Sequence, residues 1–299
     1  MALLVLASAG LGRAQEIEAC PAPPAVIASA AEREFSIDTP DGRIAGTLAV
    51  PVDAAPRALA LLLHGYTGAR NEIPVAGGEG MFARTARRFA ALGIATLRID
   101  FIGSGRSDGD WADTRFSTQA RDAARAARAL RVEFAGSDLS LGVLGYSQGG
   151  LVALRAAAAA QPFDRLALWN PVMDPMATYG VIFGRETILE AADVDADGEA
   201  NAPFGETRLR PGFFAELVAA DPIADAALVE APVLIVTGQR DPLVKGGAAL
   251  AGRIRDARAG DTAIVDLDAG HDLGAIREPM LLDAVIDCTA SFLLGTRPN

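Results

Sequence analysis

Residues 139–150 read Leu139-Ser140-Leu141-Gly142-Val143-Leu144-Gly145-Tyr146-Ser147-Gln148-Gly149-Gly150, and this stretch decides the fold. Its first half, residues 139–144, is a short, nearly continuous apolar run, the pattern of a strand buried on both faces of a parallel sheet. Its second half passes straight into residues 148–160, an Ala-rich stretch that predicts a helix. A strand that turns into a helix within one residue needs small groups where the two elements approach, and Gly145 and Gly149 supply them. Ser147 stands at the turn, in a Gly-x-Ser-x-Gly setting. A serine there is held in a strained conformation at the end of the sheet, with its hydroxyl presented to solvent.

Working outward, similar apolar runs occur at residues 58–63 (ALALLL), 94–99 (IATLRI), 166–169 (LALW), 233–236 (VLIV) and 263–265 (AIV). Helical periodicity lies between them, at residues 81–92, 117–130 and 282–294. In the first of these Phe82, Ala86 and Phe89 share a face and Arg84, Arg87 and Arg88 fall elsewhere. Residues 35–38 and 43–50 flank Asp41-Gly42, a hairpin signal. This alternation predicts an α/β protein, with a mostly parallel central sheet flanked by helices. Residues 172–230 break the alternation. They contain Pro175, Pro203, Pro211 and Pro222, an acidic patch (Asp193, Asp195, Asp197, Glu199) and scattered aromatics. We read them as an inserted lid, with residues 34–171 and 231–299 forming the core and residues 1–33 a leader. The lid's apolar side chains are expected to form a small core of their own, with some of them lining a substrate pocket.

The composition excludes several function classes. Of 299 residues 51% are hydrophobic and 22% charged, and no uncharged apolar run reaches the roughly 18 residues of a spanning helix. The net charge is -11, the wrong sign for a nucleic-acid partner. No phosphate loop or dinucleotide fingerprint occurs, and with two His and two Cys no metal site or other cofactor is expected. Residues 2–11 (ALLVLASAGL) have the length of a signal-peptide core, and Gly12 and Ala14 suit cleavage after Ala14. Export to the periplasm or beyond is therefore expected, although the basic residues that usually precede such a core are missing. Residues 15–33 read as an extended lead-in. Cys20 within them and Cys288 near the end form one bridge in an oxidising compartment, or remain two free thiols in a reducing one.

A serine hydroxyl becomes a nucleophile only beside a base, and the chain offers only His64 and His271. His271 follows the run 263–265 and precedes the last helix, so it lies in a loop at a strand's carboxyl end, where parallel sheets place their ligands. His64 also follows a strand, but abuts Gly65 and reads as a structural member of its loop. The base needs a carboxylate to fix its tautomer. Asp241, after 233–238, is the candidate, with Asp174 the alternative. Ser147, Asp241 and His271 then follow one another in the chain order of one known arrangement of serine, acid and histidine.

Four motifs in order, His64-Gly65-Tyr66-Thr67-Gly68, Asp100-Phe101-Ile102-Gly103-Ser104-Gly105-Arg106-Ser107, Gly145 to Gly149 and the Asp241/His271 pair, resemble the α/β-hydrolase superfamily. The resemblance spans about residues 35–294 and is nearest to the cinnamoyl (feruloyl) esterase and serine-aminopeptidase-like branch. It implies that the backbone N–H groups of Tyr66 and Gln148 form an oxyanion hole. Tyr66 stands where the esterases commonly carry Phe, and the lid does not match their phenolic-binding insertion. The expected activity is hydrolysis of a small-molecule carboxylic ester through an acyl-enzyme. Amide or thioester substrates of the same three residues remain alternatives, as does, more distantly, a non-catalytic binding protein. Tyr179, Phe183, Phe213 and Phe214 are the expected acyl-pocket residues.

Overall fold

A computed structural model describes Cys20 and residues 25–194, 202–204 and 207–295. The expected cleavage site at residue 14, and Asp195, Asp197 and Glu199 of the acidic patch, lie outside the described residues. Eight strands form one sheet in the order β1-β2-β4-β3-β5-β6-β9-β10. They are β1 (Ala30–Thr39), β2 (Gly42–Pro51), β3 (Ala58–Leu63), β4 (Ile94–Ile99), β5 (Leu141–Tyr146), β6 (Arg165–Trp169), β9 (Val233–Gly238) and β10 (Thr262–Leu267). The β1–β2 and β2–β4 pairs are antiparallel and the remaining pairs parallel. A separate hairpin joins β7 (Ala202–Phe204) and β8 (Thr207–Leu209). This is the α/β-hydrolase architecture that the motif order implies.

Period-two alternation sorts each central strand between two cores. Leu59, Leu61 and Leu63 of β3 face one core, and Ala58, Ala60 and Leu62 the other. Helices cover both faces. They are α1 (Met81–Ala91), α2 (Phe116–Glu133), α3 (Gln148–Ala160), α4 (Pro175–Phe183), α5 (Arg185–Ala192), α6 (Pro211–Ala219), α7 (Pro222–Ala227), α8 (Gly247–Ala257) and α9 (Pro279–Leu293). The first core packs under α2, α3 and α8, the second under α1 and α9. Arg84 and Arg88 of α1 make paired contacts with Asp283 and Asp287 of α9 at 2.6–2.9 Å. Cys20 is joined to Cys288 of α9 by a disulfide, so the leader is tied to the second core's helix.

Three expectations need correction, and two features were not foreseen. The lead-in does not extend to Arg33, because β1 begins at Ala30, where it pairs with Pro51 at the far end of β2. The strand before Ser147 runs two residues later than expected, from Leu141 to Tyr146, since the Asp164 carboxylate caps the Leu141 N–H and Trp169 pairs with Tyr146. An unexpected helix, α8, buries Ala251 and Ile254. The described residues of segment 172–230 form four helices and one hairpin, and three of its prolines start helices: Pro175 in α4, Pro211 in α6 and Pro222 in α7. Proline suits the first helical turn, where its missing N–H would have no partner. Nor do the apolar side chains of this segment form a separate core. Tyr179, Ile188, Leu209, Phe213, Phe214 and Leu217 belong to the first core of the sheet, whereas Val181 and Ile182 are exposed.

Candidate active site

Because β3, β5, β6, β9 and β10 run parallel, their carboxyl ends share one edge of the sheet. Ser147 leaves β5 with φ 54° and ψ -119°, a conformation disfavoured for a side-chain-bearing residue. The turn tolerates no side chain at Gly149, where a Cβ would lie 2.0 Å from the Leu63 carbonyl oxygen. The close approach of α3 to β3 therefore fixes where the serine stands.

His271 Nε2 is 3.0 Å from Ser147 Oγ, and His271 Nδ1 is 2.6 Å from Asp241 Oδ2. The polarity of the chain follows from Asp241. Its Oδ1 accepts the N–H groups of Leu243 and Val244 at 2.8 and 2.9 Å, so the carboxylate is an acceptor and Nδ1 donates to it. That leaves Nε2 as an acceptor facing the serine hydroxyl. Asp174 is used elsewhere: its Oδ1 accepts the Ala177 N–H and caps α4.

His64 is fully buried and engaged at both ring nitrogens. Its Nε2 accepts the Phe101 N–H at 3.2 Å, which makes Nδ1 the donor to the Gly65 carbonyl at 2.9 Å. Burial pushes its pKa down to about 4, so it stays neutral, and its one lone pair, on Nε2, is taken by the Phe101 N–H and is not offered to a serine. Its bond to Gly65 does have a consequence. Across a trans peptide the carbonyl and the next N–H point in opposite directions, and no peptide is cis among the described residues. Holding the Gly65 carbonyl thus turns the Tyr66 N–H away from His64. Gln148 is the first residue of α3, so its N–H lies at the helix N-terminus, where no intrahelical acceptor exists. Asp100 braces the same loop, with Oδ1 accepting the Arg70 N–H at 2.6 Å and Oδ2 the Arg106 N–H at 2.9 Å.

A cavity of about 250 Å3 opens beside Ser147 and His271. Tyr66, Thr67, Glu72, Tyr146, Val172, Tyr179, Ile182 and Leu243 line it. Of the four expected pocket residues only Tyr179 is at this surface. Phe183, Phe213 and Phe214 lie behind it, in an aromatic cluster with ring centroids 5.4–6.4 Å apart that also holds the Tyr66 ring. Tyr179 donates from its hydroxyl to Gln148 Oε1, and Gln148 Nε2 donates to Gln119 Oε1 at 2.7 Å.

Two contributors were invisible to sequence reasoning. Asn170, at the end of β6 and 1% exposed, donates from Nδ2 to the Gly270 and His271 carbonyls at 3.1 and 2.9 Å. Its Oδ1 accepts the Gly238 N–H at 2.7 Å, so one side chain spans the loops of Asp241 and His271. Glu72 is the other, and its carboxyl accepts the Gly65 N–H. Neither belongs to a motif, and only a strand-end polar residue before Pro171 hinted at Asn170.

Residues 54–194 match the family model for serine aminopeptidase, S33. No curated protein matches the chain. Among solved structures, Est1E from Butyrivibrio proteoclasticus with ferulic acid bound is similar at TM-score 0.66 and 22% identity, over 87% of this chain and 98% of that one. The Pyrococcus furiosus esterase Pf2001 is similar at TM-score 0.64 and 18% identity, over 92% and 97%. A dienelactone hydrolase from Anabaena variabilis follows at TM-score 0.61 and 18% identity, over 90% and 99%. At these identities the likeness establishes the fold. The family match, over a little under half of the chain, and the order of the motifs make the chain similar to the serine-aminopeptidase-like α/β hydrolases, and the solved structures share its fold.

Proposed function

We propose that the protein is a serine esterase that cleaves small to medium, uncharged, apolar or aromatic carboxylic esters. The observation that carries this reading is the hydrogen-bonded chain from Ser147 through His271 to Asp241, with the donor and acceptor roles that acyl transfer requires. Ser147 Oγ attacks the ester carbonyl while His271 Nε2 takes its proton and then returns it to the leaving alcohol. Asp241, buried and bonded to two backbone N–H groups, stabilises the imidazolium. The Tyr66 and Gln148 N–H groups receive the oxyanion, each worth about 3–4 kcal/mol of transition-state stabilisation by comparison with other hydrolases. Water repeats the sequence on the acyl-enzyme.

The cavity supports the substrate class. Cavities of roughly 150 Å3 hold a benzene ring, so about 250 Å3 accommodates a ring with a short chain. Its walls are largely apolar, as is usual for small-molecule sites. Residues 172–182, with α4, act as a cover, contributing Val172, Tyr179 and Ile182 to the wall. An aromatic acyl group, such as the ferulic acid bound by Est1E, fits these dimensions. The serine aminopeptidase family match favours a second reading, in which the same three residues cleave an amide. A fluorophosphonate probe followed by peptide mapping tests the nucleophile, and a panel of aryl, alkyl and aminoacyl esters and amides tests the substrate. Labelling at Ser147 with turnover of aryl or short alkyl esters is expected. An unlabelled Ser147 would refute the reading, and turnover confined to aminoacyl amides would replace it with the second.

A further inference from the structure

Residues 69–80, between β3 and α1, belong to neither the sheet nor the helical layers, yet they are fastened to three parts of the site. The Arg70 N–H is held by Asp100. The Ala76 N–H bonds the Ala275 carbonyl at 2.9 Å, which links the segment to the loop that carries His271. The Ile73 and Asn71 carbonyls accept the N–H groups of Met81 and Phe82, at the start of α1. Within this segment Glu72 and Ala76 adopt φ of 56° and 47°, left-handed values that side-chain-bearing residues rarely take. Strain of this kind persists only where the surroundings enforce it, and it gathers at functional sites.

The strained Glu72 turns its carboxyl inward. One oxygen accepts the Gly65 N–H, and the group also accepts the N–H of Ile73. It reaches the wall of the cavity beside Ser147 and His271. A Cβ built on Gly65 would lie 3.2 Å from Ser147 Cβ and 3.5 Å from Glu72 Oε1, so carboxyl and nucleophile flank the same glycine. A carboxyl inside an apolar cavity loses solvation, and burial pushes its pKa up to about 7. An apolar side chain would fill the space without that cost, so its hydrogen-bonding is what the position uses.

We propose that Glu72 is a positioning residue for the oxyanion-stabilising peptide, holding the Gly65 N–H while His64 holds the Gly65 carbonyl. The inference rests on the reading of Tyr66 as an oxyanion donor. With both polar groups of Gly65 fixed, the Gly65–Tyr66 peptide plane has one orientation, and the Tyr66 N–H keeps its direction as the oxyanion forms. A preorganised donor of this kind does not have to reorient during the reaction. Both the neutral and the ionised carboxyl offer an oxygen to Gly65, so the clamp does not depend on which form is present. Through Ala76 and Ala275 the same segment spans from the oxyanion peptide to the loop of the base.

The test compares Glu72→Met, which fills the space without an acceptor, Glu72→Asp, which keeps the charge but shortens the reach, and Glu72→Gln, which keeps an acceptor oxygen. Steady-state kinetics use an aryl ester that the wild type hydrolyses, and a trifluoromethyl ketone serves as the tetrahedral-adduct inhibitor. E72M and E72D are expected to lose about 10–100-fold in kcat with KM within about two-fold, since the lost interaction acts on the transition state. The ketone's inhibition constant should rise by the same factor, and E72Q should recover to within about five-fold of the wild-type kcat. E72D keeps the question answerable if E72M does not fold. A kcat within two-fold of wild type in E72M or E72D would overturn the clamp, as would a loss confined to KM, or an E72Q variant as slow as E72D. A wild type that neither turns over esters nor is labelled at Ser147 would sink the functional reading and the clamp with it. An active wild type with indifferent Glu72 variants would sink the clamp alone.

Discussion

Asn170→Asp changes one amide nitrogen to oxygen at a position 1% exposed, and the structure sets the size of the effect. The amide's two donations, to the Gly270 and His271 carbonyls, are lost, while the acceptor for the Gly238 N–H survives. The introduced carboxyl can face two carbonyl oxygens only in its protonated form, which restores one donation and leaves a deficit of about 1 kcal/mol. Keeping that proton at pH 7, some 3 units above the ordinary aspartate value, costs about 4 kcal/mol more. The ionised alternative, a buried carboxylate against two carbonyls, costs about 3–5 kcal/mol, so the total levels off at about 4–5 kcal/mol near neutrality. The sign with pH is definite. The introduced group's folded pKa is raised, so above about pH 4 the unfolded state binds fewer protons than the folded one, and the variant's deficit grows by about 1.4 kcal/mol per unit until the ionised form takes over. At pH 5 it should be about 2–3 kcal/mol. Urea unfolding of wild type and variant at pH 5, 6 and 7, followed by tryptophan fluorescence, measures this directly. Turnover at pH 7 should fall by about 10–100-fold, because the carbonyl of His271 itself loses its anchor. A deficit below about 1 kcal/mol at pH 7, or one that does not shrink on acidification, would refute the argument.

Ser147→Ala or His271→Ala should reduce ester turnover by about 10^4-fold or more with the fold retained by circular dichroism, and Asp241→Asn somewhat less. Near-wild-type activity in His271→Ala would contradict the assignment, since His64 is sealed between two backbone groups. Non-reducing peptide mapping of protein from its native compartment should recover Cys20 joined to Cys288, and the paired serine variant should lose about 2–4 kcal/mol of unfolding free energy. Two free thiols would remove the bridge and weaken the case for export. Ile182→Trp, at the rim of the cavity, should lower kcat/KM for aryl esters relative to acetyl esters by at least about 10-fold. An unchanged ratio across the panel would show that α4 does not select the acyl group.

What the sequence disclosed depends on whether a residue's role is local. Strands β3 and β4 fall on the predicted residues, 58–63 and 94–99, because a strand buried on both faces is an uninterrupted apolar run. Ser147 and His271 were readable because each sits in a turn whose chemistry is written in adjacent residues. The acid was ambiguous, as Asp174 and Asp241 both follow strands. The fold separates them: β9 lies beside β10, which leads to His271, and brings Asp241 Oδ2 within 2.6 Å of His271 Nδ1, whereas Asp174 is consumed in capping α4. Asn170 and Glu72 belong to no motif: the partners of Asn170 lie 68 to 101 residues away, and the contact of Glu72 with the Gly65 N–H depends on how the β3–α1 connection folds back on itself. The helices of residues 172–230 were not foreseen for a related reason. A proline stops the helix before it and starts the helix after it equally well, and the sequence does not say which side is helical.

The same long-range packing determines how the covering segment works. Tyr179, Phe213 and Phe214 are at most 1% exposed and belong to the core that packs under α2 and α3. The Tyr179 hydroxyl is also bonded to the side chain of Gln148, the residue next to Ser147. Lifting α4 and α6 as one flap would expose these three rings, at about 2–3 kcal/mol each, and break a buried hydrogen bond worth about 1 kcal/mol more. The sum, about 7–10 kcal/mol, equals the whole stability of a typical domain, so such an opening is not a step that each turnover can use. Access to Ser147 must instead run past the exposed rim, where Thr67 and Ile182 meet the cavity mouth. The pocket is thus preformed, and its walls are fixed by the same aromatic cluster that holds the Tyr66 ring in place.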